Sequence, residues 1–225
     1  MNITFYGHAS FGIEVNGKHI LVDPFISANP NAAHIAIDAL KADYILITHA
    51  HQDHVLDVEA IAQRTGATII SNYEIVNYFV AKELKGHHLN HGGTFISEDF
   101  SAKYVTAIHT SSFADGTYGG EPGGFVLTAN DKSIYIAGDT CATYDMKLIP
   151  KFTKINAAIL PIGDTFTMGI DEAIIASDFV ECNTIIGCHF NTFPPIEINT
   201  LAAKNKFASK SKTLILLEIG ASINI

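Results

Sequence analysis

At 225 residues, with 48% of positions apolar and 16% charged, the chain has enough hydrophobic side chains for a sizeable core and too few charges for a disordered polymer. Its 23 acidic residues against 14 basic ones give a formal charge of -9, and Arg64 is the one arginine, which argues against a nucleic-acid partner held on a basic face. No apolar run reaches the roughly 18 residues of a membrane span, and residues 1–8 lack the basic start and apolar stretch of a secretory leader, so a cytoplasmic protein is expected.

In chain order, Ile3 and Phe5, then Phe11, Ile13 and Val15, then Ile20 and Val22 alternate with polar residues, separated by Gly7 and by Asn16-Gly17. This is the pattern of an antiparallel meander with an Asn-Gly hairpin turn. Asp23-Pro24 stops the third strand, and Asn29-Pro30-Asn31 reads as loop. Residues 44–48 are a continuous apolar strand, followed by a His/Asp-rich turn and a helix over residues 55–64. A strand at 67–70 and a helix over 74–84 come next. Gly86 and Gly92-Gly93 bracket His87, His88 and His91 as a surface turn, so these histidines are not expected to form a further metal site. Strands follow at 94–97 and 102–108, and the glycine-rich loop 116–124 reads as a flexible lid.

The second half continues with strands at 125–128 and 133–137 around Asn130-Asp131, then helix 144–152, strand 157–161, helix 171–180, strand 184–188, helix 198–208 and strand 213–217. Each half runs strands first and strand-helix pairs afterwards. The repeat lies in the order of elements and not in residue identity. With no linker between the halves, residues 1–225 read as one domain.

The chemistry concentrates in His49-Ala50-His51-Gln52-Asp53-His54, which places four metal-binding side chains in six residues directly after the buried strand. His49 and His51 are able to converge on one ion, while Asp53 and His54 swing towards another as the helix begins. Imidazole and carboxylate donors suit zinc, manganese or iron. Further ligands must come from elsewhere, and His109, Asp139 and His189 each stand where an apolar strand gives way to a small-residue loop. Cys141, Cys182 and Cys188 are odd in number and lack Cys-x-x-Cys spacing, so they read as packing residues.

The motif 48–54 occurs together with Gly7-His8-Ala9-Ser10-Phe11, Leu21-Val22-Asp23-Pro24, Ala137-Gly138-Asp139-Thr140, Leu160-Pro161-Ile162-Gly163, Phe166-Thr167-Met168-Gly169 and the segment from His189 to Pro195. In these the chain resembles the metallo-β-lactamase superfamily. Within it the chain is similar to small metal-dependent hydrolases related to ascorbate-6-phosphate lactonases and N-acylphosphatidylethanolamine phospholipases. The resemblance implies an α/β fold, a four-layer αβ/βα sandwich of two mixed β-sheets with flanking helices. It also implies two divalent metal ions per chain, Zn2+ foremost, with Mn2+, Fe or Ni2+ also suited. His49, His51 and His109 would hold the first ion, Asp53, His54 and His189 the second, and Asp139 would bridge them.

The implied activity is hydrolysis of a small ester, lactone or phosphodiester by a hydroxide held between two cations roughly 3.5–4 Å apart, with Asp53 as the catalytic residue that orients it and shuttles its proton. His8, Asn191, Thr192 and Phe193 are the expected substrate-binding residues, with His8 alternatively supporting a ligand from behind or serving a structural role, and Asp23 is expected to accept an N–H from a ligating histidine. The expected partner is a small-molecule substrate, with homo-oligomer formation left open. Ala50 and Gln52 stand where relatives often carry glycine, and Asp164 stands where a smaller or amide residue is expected, which alters the charge of the pocket. The alternatives on the same fold are a non-catalytic metal-binding or regulatory module and a di-iron redox protein. In the latter a glutamate usually stands at the position of His51 and a flavin-binding domain follows, features this sequence lacks.

Overall fold

The computed structural model describes all 225 residues. Strand β1 (Asn2–Gly7) pairs antiparallel with β2 (Ser10–Val15), which turns through Asn16-Gly17 into β3 (Lys18–Val22). Asn16 and Gly17 both take positive φ, 50° and 77°. That backbone twist matches the strands of a two-residue hairpin and favours Asn-Gly there. The chain continues with β4 (Tyr44–Leu46), α1 (Gln52–Val55), α2 (Val58–Thr65), β5 (Thr68–Asn72), α3 (Tyr73–Val80) and β6 (Gly86–Leu89). The second half runs β7 (Thr94–Ile96), β8 (Ser101–Thr106), β9 (Gly123–Ala129), β10 (Lys132–Ile136), α4 (Ile149–Phe152), β11 (Ala157–Pro161), α5 (Ile170–Phe179), β12 (Thr184–Cys188), α6 (Thr200–Ala208), β13 (Thr213–Ile215) and β14 (Ser222–Asn224).

These strands form two seven-stranded sheets, ordered β14-β1-β2-β3-β4-β5-β6 and β7-β8-β9-β10-β11-β12-β13. In each, three antiparallel pairings are followed by three parallel ones. The repeated element order is therefore a repeated topology, in which β1 corresponds to β8 and β3 to β10. The corresponding hairpin turns also touch, because Asn130 Nδ2 donates to Asn16 Oδ1 across 2.7 Å.

Between the sheets lies an apolar core that includes Phe11, Tyr104, Phe125, Ile134 and Ile159. Val58, Ile61, Ile75 and Phe79 pack α2 and α3 onto the outer face of the first sheet. Ile149, Ala173 and Phe207 pack α4, α5 and α6 onto the second. The result is the expected four-layer sandwich, two mixed sheets face to face with helices outside. No helix is long and apolar enough to cross a membrane.

Several local expectations are corrected. The helix expected over 55–64 is two helices, broken where the Asp57 carboxylate turns back to accept the Ile26 and Ser27 N–H groups at 2.6 and 2.9 Å. Residues 86–89 form an edge strand where a surface turn was expected. The histidines there do diverge as anticipated: His88 donates to Asn77 Oδ1, His91 donates to the Pro122 carbonyl, and the His87 ring meets Phe95. The segment 144–152 opens as a tight 3-10 turn, and the α-helix starts only at Ile149, with Pro150 in its first turn where no N–H is required. The glycine-rich loop closes on itself through a bridge between Ser112 and Tyr118 and a bond from the Gly119 N–H to the Ser111 carbonyl at 3.0 Å, and Asn72 Nδ2 donates to its Gly119 and Glu121 carbonyls at 2.8 and 3.1 Å.

Candidate metal centre

The strands β1, β3 and β4 of the first sheet and β8, β10 and β12 of the second all end at one rim of the sandwich. His8, Asp23, the 49–54 loop, His109, Asp139 and His189 follow these strand ends in that order. Rigid strands thus carry short loops whose side chains converge. Gly138 lets one loop approach closely: its φ is +64°, and a Cβ there would lie 2.7 Å from Thr48 Cβ.

Two groups of donor atoms result. The ligand atoms of His49, His51 and His109 lie within 4.8 Å of one another, as do those of Asp53, His54, His189 and His8. Asp139 stands between the groups. Its Oδ2 is 3.9 Å from His49 Nε2, 3.6 Å from His109 Nε2, 3.3 Å from His54 Nε2 and 3.1 Å from His189 Nε2. All seven residues that the sequence singled out as ligand candidates are therefore brought together.

The back of the cluster determines which way the rings face. The Asp23 carboxylate accepts the Thr48 N–H at 2.8 Å, the Thr48 hydroxyl at 2.6 Å and the His54 Nδ1–H at 2.9 Å. With its hydroxyl donated to Asp23, Thr48 accepts from His49 Nδ1–H at 3.0 Å. Both His49 and His54 consequently turn an Nε2 lone pair into the cluster in their neutral forms. His51 faces the other way, with Nε2 towards the Thr110 hydroxyl at 3.3 Å and Nδ1 towards His49.

His54 Nε2 and Asp139 Oδ1 are buried with no hydrogen-bond partner. No lysine or arginine pairs with Asp23, Asp53 or Asp139; their only ion-pair partners are histidines. Buried carboxylates facing imidazole lone pairs are stable when a cation lies between them. The donor set therefore fits divalent metal ions, with no thiolate among them. Cys188 adjoins His189 but is buried, which pushes its thiol well above the usual range.

Protonation is arranged for the same purpose. Burial lowers His49, His51 and His109 and keeps them neutral. Burial works to raise Asp139 and Asp53, yet the surrounding imidazoles outweigh it and hold both well into the ionised range: His54 and His189 for Asp139, His8 and His54 for Asp53. His54 is the exception. Burial works to lower it, but Asp139 and Asp23 together raise it well above its ordinary value. This direction favours a proton on His54 in the metal-free protein, one that an entering ion must expel. Apparent metal affinity is expected to weaken about tenfold per unit as pH falls below that raised value, with release of one proton per chain. Calorimetric titrations in buffers of different ionisation enthalpy measure this, and an affinity independent of pH between 6 and 8 would contradict it.

The residues expected to meet substrate also make contacts within the protein. Asn191 Oδ1 accepts the Ile198 N–H at 2.8 Å, and the Asn191 carbonyl accepts from Asn31 Nδ2 at 3.0 Å. Thr192 Oγ1 and Asp53 Oδ2 flank the two nitrogens of His8, at 3.0 and 3.1 Å. Burial lowers His8 to about 4, so its ring is neutral. Phe193 is half-buried against His8 and Phe25. Asp164 is exposed and accepts the N–H of Thr165, outside both donor groups. Sequence reading missed Ser111. Its buried hydroxyl accepts the Ala50 N–H at 3.1 Å and donates to the Gly119 carbonyl at 2.9 Å, locking the 49–54 loop onto the glycine-rich loop. The only signal in the sequence is its position two residues after His109.

Comparison with known proteins agrees with this geometry. A family model described as a beta-lactamase superfamily domain matches residues 2–189. A UPF0173 metal-dependent hydrolase of Flavobacterium johnsoniae is 61% identical over 225 residues, covering 100% of both chains. Another, of Methylacidiphilum infernorum, is 42% identical over 224 residues and 99% of each chain. Among solved structures, Igni18, a metallo hydrolase from the archaeon Ignicoccus hospitalis, superposes with a TM-score of 0.90 at 32% identity, covering 99% of this chain and 97% of its own. An isothiocyanate hydrolase from Delia radicum gut bacteria shares the fold, with a TM-score of 0.77 at 19% identity and 100% and 99% coverage.

Proposed function

The chain belongs to the metallo-β-lactamase superfamily and within it to the UPF0173 metal-dependent hydrolases, and from that premise we propose that it hydrolyses a small ester or lactone with two divalent ions. The observation that carries the reading is Asp139 Oδ2, buried and within 3.9 Å of four imidazole nitrogens drawn from both donor groups. In this reading His49, His51 and His109 would hold one ion, Asp53, His54 and His189 would hold the other, and Asp139 would serve both. Zn2+ is the first choice for such a nitrogen and oxygen set, with Mn2+, Fe or Ni2+ also suited. Bound there, two cations supply Lewis acidity and make water a nucleophile at neutral pH.

The chain's own residues do the rest. The Asp53 side chain is 32% exposed, and its Oδ2 is held by His8. Its Oδ1 makes no side-chain hydrogen bond within the protein, so it is available to take the proton of the attacking water and return it to the leaving group. Asp23 and Thr48 keep His54 and His49 from rotating as charge moves. Neutral acyl substrates are favoured over phosphodiesters because Arg64, the one guanidinium, is spent on the Ile37 and Leu40 carbonyls at 3.0 and 2.6 Å. The centre draws on loops from His8 to Thr192, which supports treating residues 1–225 as one functional unit, and three unpaired cysteines are in keeping with a cytoplasmic setting.

The test is elemental analysis of protein reconstituted with each metal, followed by assays on panels of lactones, esters and phosphodiesters. About two ions per chain, with lactone or ester turnover that a chelator abolishes and Zn2+ restores, is the expected outcome. Turnover that survives chelation, or no bound metal after reconstitution, would overturn the reading.

A further inference from the structure

We propose that His8, which lies outside the seven ligand candidates, is a positioning residue that holds the second ion position together by gripping Asp53 with its side chain and His189 with its main chain. The inference rests on the two-ion reading above. His8 Nε2 is 3.1 Å from Asp53 Oδ2. An ionised carboxylate only accepts, so Nε2 carries the proton and offers no lone pair to a cation, even though it lies in the same 4.8 Å group as Asp53, His54 and His189. His8 Nδ1 then accepts from the Thr192 hydroxyl at 3.0 Å, which fixes the rotation of the ring. The ring lies 4.1 Å from that of His189, centroid to centroid, and its side chain is fully buried. The His8 carbonyl accepts the His189 N–H at 2.8 Å.

Two of the three members of one ion position therefore depend on a single residue. The other position is held by different groups, Thr48 behind His49 and Thr110 behind His51. His8 also has a φ of 55°, a left-handed backbone that a histidine keeps only where its surroundings hold it. The duplicated topology accounts for its place. His8 follows β1 as His109 follows β8, and Asp23 follows β3 as Asp139 follows β10. In each pair the residue of the second half would face the ions, and the residue of the first half would brace a ligand from behind.

The test is a Co2+ titration of metal-free protein, followed by ligand-field absorption and by equilibrium dialysis, with His109→Ala used to identify which equivalent fills the first position. Wild type should take up two equivalents. In His8→Phe, which keeps a ring against Phe25 and Phe193, the equivalent at Asp53, His54 and His189 should bind about 10–100-fold more weakly, while the other stays within about threefold of wild type. His8→Gln keeps an N–H donor for Asp53 and should recover most of the loss, which a packing role alone would not allow. Thr192→Val, which leaves the ring in place but unanchored, should show a smaller loss confined to the same equivalent.

Unchanged binding in His8→Phe, equal weakening of both equivalents, or no recovery in His8→Gln would overturn the assignment. If His8→Phe does not fold, Thr192→Val decides, and an unchanged second equivalent there overturns it. A wild type that binds only one equivalent overturns the two-ion reading and this assignment with it. Two equivalents without selective weakening overturn this assignment alone.

Discussion

Asp139→Ala is expected to reduce bound metal from about two ions per chain to one or fewer and to lower hydrolytic turnover by at least about 10²-fold. The reason is geometric. Asp139 is the one carboxylate whose oxygen lies within 3.9 Å of nitrogens from both donor groups, and it is 3% exposed, so no water-borne anion replaces it. Its loss leaves three imidazoles in one group and two imidazoles with the Asp53 carboxylate in the other, with the shared negative charge gone that would hold two dications at close range. Elemental analysis of wild type and variant prepared side by side measures the first effect, and initial rates on the best substrate measure the second. Two ions retained in the variant would mean that the groups bind independently and that Asp139 is not a bridge.

The largest effect on stability is expected at Phe11. Its side chain is fully buried between the sheets, its ring centroid lies 5.0 Å from that of Phe5, and it pairs across the strands with Phe5 and Val22. Phe11→Ala removes a large apolar side chain from a site walled by two sheets that have little freedom to collapse. A cost of about 3–5 kcal/mol is expected, which lowers Tm by about 10 °C for a chain of this size. Thermal unfolding of the metal-free protein measures it. Metal stoichiometry below the unfolding range should be unchanged, since Phe11 contributes no donor atom to the rim; a shift under about 2 °C would show that the core relaxes into the space.

How much of this was legible in the sequence depended on how local each feature is. Two-residue alternation marked β1, β2 and β3, and a positive-φ turn marked their hairpin, because both are properties of adjacent residues. Strand ends rich in His and Asp marked the ligand candidates, since apolar runs that stop at such residues are conspicuous in one dimension. The edge strands were harder to see. Residues 86–89 expose His87 and His88 and bury only Leu89, so they carry no strand alternation, and β14 is three residues long. These segments become strands because β5 and β1 present unpaired edges to them.

The sequence by itself determined the donor inventory and the meander-then-crossover order of each half. Only the tertiary structure decided which nitrogen His49 and His54 turn inward, that Ser111 ties the 49–54 loop down, and that the His8 ring lies between Asp53 and Thr192. The physical reason is distance along the chain. The bond between His8 and Thr192 spans 184 residues, that between Ala50 and Ser111 spans 61, and that between Asp23 and His54 spans 31. Hydrogen bonds of this kind leave no local periodicity, and they exist only after two sheets have closed on one core and brought their strand ends to a common rim.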